Sequence, residues 1–392
     1  MSDLPPELHE TIANKLKIHK DYIRFRAVCL SWRTSTPKIP NHLPSQLPWL
    51  MLPRTTNQDP QSNLFLSIPD EKIHLIHLPE DSDHSDHHRR CGSSHGWLVF
   101  LNETPSISII NPLTKSKQLL PPLSSFPNVT SFTPGKEEYT IKTLDDDLYT
   151  CSSKEMCDSF IKKVVFSTSP SNEKVDFYAL AILNQTGDLA YCKKGDLSWK
   201  FIDDANSFCE DAIYYKECFY AVSRHGMIAK CDVKGASVNV SFIETQRQNG
   251  GDMQYLVNWK DELLLVTRYT ELEFNMDQNK LDIVYKTSEF QVCRLVNGLK
   301  WECVSELDGH SLFLGENSSM AFCASDFPGC KRDCIYFTDD FSEWNYDGAN
   351  GSHDLGVYNV KNGSLEALTC YPKEFYTGRR WPPPIWFSPS LH

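Results

Sequence analysis

The chain of 392 residues has no stretch near eighteen consecutive apolar residues, so nothing in it predicts a helical membrane span. Its start, Met-Ser-Asp-Leu-Pro-Pro-Glu, lacks the basic and apolar segments of a signal peptide. Cations are short: 39 Lys and Arg stand against 51 Asp and Glu, for a net charge of −12. That balance argues against sequence-independent nucleic-acid binding, which needs a basic surface to displace counterions. The longest like-charge run is Asp145-Asp146-Asp147, which reads as a solvated loop. There is no Gly-x4-Gly-Lys-Ser/Thr cradle, no Gly-x-Gly-x-x-Gly turn and no Cys-x-x-Cys pair. Without a secretion signal, the fourteen cysteines are expected as free thiols in a reducing compartment, the cytoplasm and/or nucleus.

Apolar residues make up 40% and aromatics 12% of the chain, enough for a packed core. The first forty residues differ in character from the rest. Leu8, Ile12 and Leu16 fall four apart on one helix face, with Asp3 a candidate cap and Pro5 and Pro6 suited to a first turn. Asp21 is a second candidate cap, and after it Ile23, Phe25, Val28, Cys29 and Trp32 supply apolar faces for one or two more short helices. About forty residues rarely bury enough surface to fold alone, so this much Leu, Ile and Trp calls for an apolar partner surface. Residues 41–62 are Pro-rich, as are those just before them, and are expected as a semi-rigid linker.

From residue 63 the chain turns to short alternating apolar runs separated by turn residues, the pattern of many short strands. An internal echo runs through it. Lys174-Val-Asp-Phe-Tyr-Ala-Leu-Ala181 resembles Lys216-Glu-Cys-Phe-Tyr-Ala-Val-Ser223 and Lys260-Asp-Glu-Leu-Leu-Leu-Val-Thr267, with the lysines 42 and then 44 residues apart (216 − 174; 260 − 216). A strand-rich period in the low forties fits a four-stranded β-propeller blade. With 124–160 and 269–284 set aside as loop insertions, residues 63–392 leave room for about six blades. Leu64–Ile68 and Ile73–Leu78 are candidates to close the ring against the C-terminal strands. The fold expected is mainly β: a β-propeller of about six blades (63–392) behind a three-helix module (1–40).

Two sets of motifs resemble known families. Leu4-Pro5-x-Glu7-Leu8-x3-Ile12-x3-Leu16, followed by Phe25-Arg26-x-Val28-Cys29-x2-Trp32-Arg33, resembles an F-box, although Ile18-His19-Lys20-Asp21-Tyr22 departs from the apolar run usual there. The resemblance implies that Leu4, Pro5, Leu8, Ile12, Leu16, Val28, Cys29 and Trp32 contact the adaptor Skp1, and through it a cullin, or form the core of the module. Gly96-Trp97-Leu98-Val99-Phe100, Ile110-Asn111-Pro112, Tyr255-Leu256-Val257, Cys334-Ile335-Tyr336-Phe337-Thr338-Asp339-Asp340 and Pro382-Pro383-Pro384-Ile385-Trp386-Phe387 together resemble a plant family that joins an F-box to a kelch-like β-propeller. It implies a non-catalytic substrate-recognition subunit of an SCF-type ubiquitin ligase, with a protein target on the propeller.

Other readings compete with it: a propeller enzyme or small-ligand binder, and an F-box scaffold acting outside degradation. His74, His77, His84, His87, His88, Cys91 and His95 crowd into 22 residues, but with one cysteine and with Arg89 and Arg90 alongside they read as a solvated loop rather than a metal site, and no cofactor is expected. Asp339 and Asp340 read as turn formers. Trp97, Trp199 and Trp301 read as blade packing, and Arg379, Arg380 and Trp381 in the Pro-rich tail as candidates for target contact.

Overall fold

The computed structural model describes residues 4–391 apart from 39, 41, 44–45, 55–61, 80–87, 144, 173–174, 185, 249, 278–279, 341–352, 373–374 and 376–381. Among these residues, six sheets of four or five strands follow one another along the chain, with a three-stranded sheet set between the second and third. The innermost strands of the six are Ile385–Phe387, His88–Ser94, Ile161–Phe166, Asp211–Tyr215, Met253–Trp259 and Met320–Cys323. From Ile385–Phe387 through Met320–Cys323, each lies against the next. Gly92 sits at one of these close approaches, where a Cβ would meet the Val164 carbonyl oxygen at 2.5 Å.

Tight turns set the register. The hairpins after three of the inner strands turn on His95-Gly96, Lys216-Glu217 and Lys260-Asp261, and all six residues have positive φ. This is the two-residue geometry that matches strand twist. The repeated segments therefore occupy equivalent places: Tyr178–Leu183, Cys218–Val222 and Glu262–Asp277 are the second strands of the third, fourth and fifth sheets.

The first sheet closes the series. Ile385–Phe387 pairs with Trp49–Met51, which pairs with Ser62–Ser67 and then Lys72–His77. Trp49–Met51 lies inside the stretch expected as a linker. Pro48 and Pro53 bracket this strand rather than interrupt it, which is where proline is tolerated in a sheet.

The two stretches expected as loop insertions are regular structure. Residues 124–160 hold the three-stranded sheet (Val129–Thr133, Glu138–Lys142, Leu148–Ser152) and the helix Ser153–Ser159. Ser152 and Glu155 cap that helix reciprocally, at 3.2 and 2.8 Å. Tyr139, Ile141 and Met156 pack into the core shared by the second and third sheets. Residues 269–284 are the far half of a hairpin, Glu262–Asp277 with Lys280–Val296, that runs beyond its neighbouring strand Met253–Trp259.

Trp97, Trp199 and Trp301 are buried. The Trp199 indole donates to the Pro121 carbonyl at 2.9 Å and stacks on Phe126. Trp301 donates to the Gly226 carbonyl at 2.8 Å. Trp199 and Trp301 thus tie the third sheet to the second and the fifth to the fourth.

Asp333 secures the sixth sheet. Its carboxylate accepts from the amides of Leu307 (2.8 Å) and Gly309 (3.1 Å) and lies 3.3 Å from Lys361 Nζ. Burial pushes its pKa up, but these amides and Lys361 outweigh that and hold it below the usual carboxylate range. A depressed folded-state pKa gives stability that is present above the unfolded value, about 4, and lost as pH falls through the folded one. Asp333→Asn should lower stability at neutral pH by about 1–2 kcal/mol and flatten the acid limb of a stability–pH curve measured by urea unfolding.

Candidate functional site

Three helices precede the sheets: α1 (Pro6–Ala13), α2 (His19–Arg26) and α3 (Leu30–Thr34). Pro5 precedes α1 with Pro6 as its first residue, which loses nothing because amides of a first turn have no partner in the helix. Asp3 lies outside the described residues. Asp21, expected as a cap, sits within the first turn of α2, 3.7 Å from Arg24. Leu16, expected on the α1 face with Leu8 and Ile12, falls beyond the helix end, half-buried against the module core.

That core consists of Ala13, Tyr22, Phe25 and, from the other end of the chain, Leu391. Trp32 packs 4.3 Å from Phe25 and 5.1 Å from His9, whose Nδ1 lies 3.1 Å from Ser35 Oγ. Tyr22 donates to the Pro37 carbonyl at 2.7 Å, and His42 Nε2 lies 3.0 Å from the Ala13 carbonyl oxygen. The helices are thereby fastened to the sheets, with a cleft of about 250 Å³ left between Tyr22, Arg26, Leu113 and Leu391. Leu391→Asp would put a carboxylate into this core at a cost of roughly 2–4 kcal/mol. Limited trypsin digestion should then cut among Lys15, Lys17 and Arg24 roughly tenfold faster while the sheet domain stays intact.

With the module core filled in this way, a set of apolar side chains is left outside it. Leu8 is 46% exposed, Val28 57% and Leu30 75%, and Leu4, Pro5 and Ile12 are exposed beside them. Cys29 and Trp32 are half-buried. Contact and core candidates, which the sequence leaves mixed, separate here: Trp32 and Leu16 turn inward, while Leu4, Leu8, Ile12 and Val28 face water. Leu30 and Ile18 are exposed apolar residues that the motif does not single out. Exposed leucines clustered on one small module are the kind of patch that marks a protein contact.

The other polar concentration lies inside the ring, where four buried cations each bridge sheets. Arg89 pairs with Glu316 at 3.0 Å, second sheet to sixth. Lys163 pairs with Asp211 at 2.6 Å, and Asp211 also accepts from the Leu256 amide. Arg268 is held between Asp340 (3.0 Å) and Asp354 (2.8 Å), donates to Thr287 Oγ1 and lies 4.7 Å above the Phe337 ring. Arg90 donates to the carbonyls of Leu52 (3.1 Å) and Pro382 (3.0 Å), pinning the second sheet to the closing strands of the first. Burial pushes the Glu316 and Asp340 carboxyls upward against the pull of Arg89 and Arg268. The space left among Arg89, Lys163, Asp211, Tyr255 and Glu316 is about 30 Å³, room for a water molecule.

Asp339 and Asp340 are thus buried anchors rather than turn formers. Asp339 lies 2.9 Å from His353 Nδ1 and accepts from the Tyr285 hydroxyl. Gly92-Ser93-Ser94-His95-Gly96 matches the Gly-x-Ser-x-Gly pattern, whose catalytic use requires a strand–turn–helix elbow. Here it crosses a β-hairpin turn, with Ser94 buried.

In the histidine-rich stretch, His74 packs at a tilt against Trp49, with ring centroids 4.7 Å apart, and lies 3.6 Å from Asp70, His77 lies 3.2 Å from Ser62 Oγ, and Cys91 is buried in the core. His84 and His87 lie outside the described residues, as do Arg379, Arg380 and Trp381. Among the described residues, no three His, Cys, Asp or Glu side chains are grouped to hold a metal, and no helix is long and apolar enough to cross a membrane.

Successive radial sheets, antiparallel except for the parallel pair His310–Leu314 and Cys334–Phe337 in the sixth, around a plugged centre and preceded by a helical module, define a β-propeller protein with an N-terminal appendage. The KIB1-4 beta-propeller family matches residues 65–359, and the chain belongs to that family. It is 27% identical to the F-box protein SKIP23 of Arabidopsis thaliana over 99% of this chain and 95% of that one. It is 26% identical to the F-box protein At2g17036 of the same plant, covering 99% and 94%, and 26% identical to the putative F-box/kelch-repeat protein At5g24040, covering 94% and 93%. The alignments extend through the helical module as well as the propeller. The chain is a plant-type F-box protein with a β-propeller domain.

Proposed function

We propose that this chain is the substrate-recognition subunit of an SCF-type E3 ubiquitin ligase. In this reading α1–α3 are the F-box, residues 1–40, and bind a Skp1-like adaptor and through it a cullin. The six sheets of four or five strands are six propeller blades, and the propeller holds a protein target. The observation that carries the reading is the outward apolar set Leu4, Leu8, Ile12, Val28 and Leu30 on a module whose own core is already filled. Full burial of a leucine contributes roughly 1.5–3 kcal/mol, so such a set can drive association without any change in the module.

The chain supplies no catalytic residue. It raises the local concentration of target lysines beside the ubiquitin-charged enzyme. It acts in the cytoplasm and/or nucleus, where its thiols stay reduced. Purification of the full chain with a Skp1-like adaptor and cullin tests the assembly. The half-life of captured proteins with and without the chain tests the degradative role, and half-lives that do not change would point to a scaffold.

A further inference from the structure

Cys293 and Cys303 face each other across the two outer strands of the fifth sheet, Lys280–Val296 and Lys300–Cys303. Their Sγ atoms are 2.8 Å apart. The neighbouring pair Val292 and Val304 carries the ladder bond, with the Val304 amide donating to the Val292 carbonyl at 2.9 Å. Cys293 and Cys303 therefore occupy a non-hydrogen-bonded position, where opposed Cα atoms come closest, about 4.5 Å, within the span a disulfide bridges. Cys303 is exposed and Cys293 buried. Burial and the neighbouring thiol push Cys293 up to about 12. The exposed thiol is thus the one an oxidant meets first, and the buried one is placed behind it to resolve the product.

We propose that Cys293 and Cys303 are a redox-modification site that closes to a cross-strand disulfide on reaction with a low-molecular-weight disulfide such as oxidised glutathione. The Cys303 thiolate attacks the oxidant's sulfur, forming a mixed disulfide and releasing one thiol. Cys293 then gives up its proton to the departing glutathione sulfur as it attacks the Cys303 sulfur, forming the protein disulfide and releasing the second thiol. Two protein thiols are oxidised and one small disulfide is reduced to two thiols, with no other reactant needed.

The bond would fasten the strand that carries Trp301, whose indole reaches the Gly226 carbonyl and Thr245 Oγ1 of the fourth sheet. Oxidation thus acts on the seam between two blades. In a reducing compartment such a bond forms transiently, as redox-sensing pairs do.

The test is to incubate the folded, reduced full chain with oxidised glutathione, quench with acid and map disulfides by mass spectrometry without reduction. The expected dominant product is a peptide pair joined through Cys293 and Cys303, roughly tenfold above any other cysteine pair. Amide exchange around residues 295–304 should slow in the oxidised chain and recover with reductant. Cys303→Ser, a change at an exposed edge position, should abolish both effects. The proposal is overturned if Cys303 stays glutathionylated without closing, if another cysteine pair dominates, or if Cys303→Ser still slows amide exchange around residues 295–304 on oxidation.

Discussion

Leu8→Asp combined with Ile12→Asp is expected to weaken binding to a Skp1-like adaptor by roughly 100-fold or more, read by calorimetric titration. Both side chains are exposed and lie outside the module core, so the substitutions remove little internal contact, and stability should change by no more than about 1 kcal/mol. In the complex each carboxylate would have to shed its water in an apolar groove without a partner, a penalty of kilocalories rather than tenths. Val28→Asp should act in the same direction. Phe25→Asp would also abolish binding, but by unfolding the module, because Phe25 belongs to the core with Tyr22 and Leu391. Thermal unfolding separates the two mechanisms.

Arg268→Met is expected to have the largest effect on stability, a loss of roughly 3–5 kcal/mol. The substitution leaves Asp340 and Asp354 facing each other's charge in a buried site, with Thr287 as the hydroxyl donor to Asp354. It also frees the Thr338 carbonyl and the face of Phe337. Arg268→Lys keeps the charge but cannot fork between two carboxylates, and should fall between Met and the parent. Differential scanning calorimetry should show a drop of roughly 5–10 °C for Arg268→Met. The fifth and sixth sheets should lose amide protection before the others.

Much of this architecture is legible in the sequence, and what is not has physical causes. The Lys174, Lys216 and Lys260 echo marks equivalent strands because the apolar run after each lysine is buried without a break, at 179–183, 218–222 and 263–268, in three consecutive sheets. The far half of the long hairpin also carries a readable signal, the strict alternation Glu271-Leu272-Glu273-Phe274-Asn275-Met276-Asp277, which the acidic content of the stretch disguises as a polar loop. The helix Ser153–Ser159 did have a readable signal, the Ser152-x-x-Glu155 capping box.

Within the helical module, spacing places Leu8 and Ile12 correctly on one face. It carries Leu16 too far, because the helix ends at Ala13 and Leu16 is claimed by the core. Leu391 is invisible to local reading, since its partner lies almost a whole chain away. The same holds for the ion pairs of the ring, such as Arg89 with Glu316, whose separation of 227 residues no periodicity encodes.

The most direct test of the central claim is hydrogen exchange on the full chain, free and bound to a purified Skp1-like adaptor. The expected result is a stoichiometric complex in which protection grows in α1 and around residues 28–32, while the inner strands of the propeller exchange as before. No complex, or a footprint on the propeller with α1 unchanged, would contradict it.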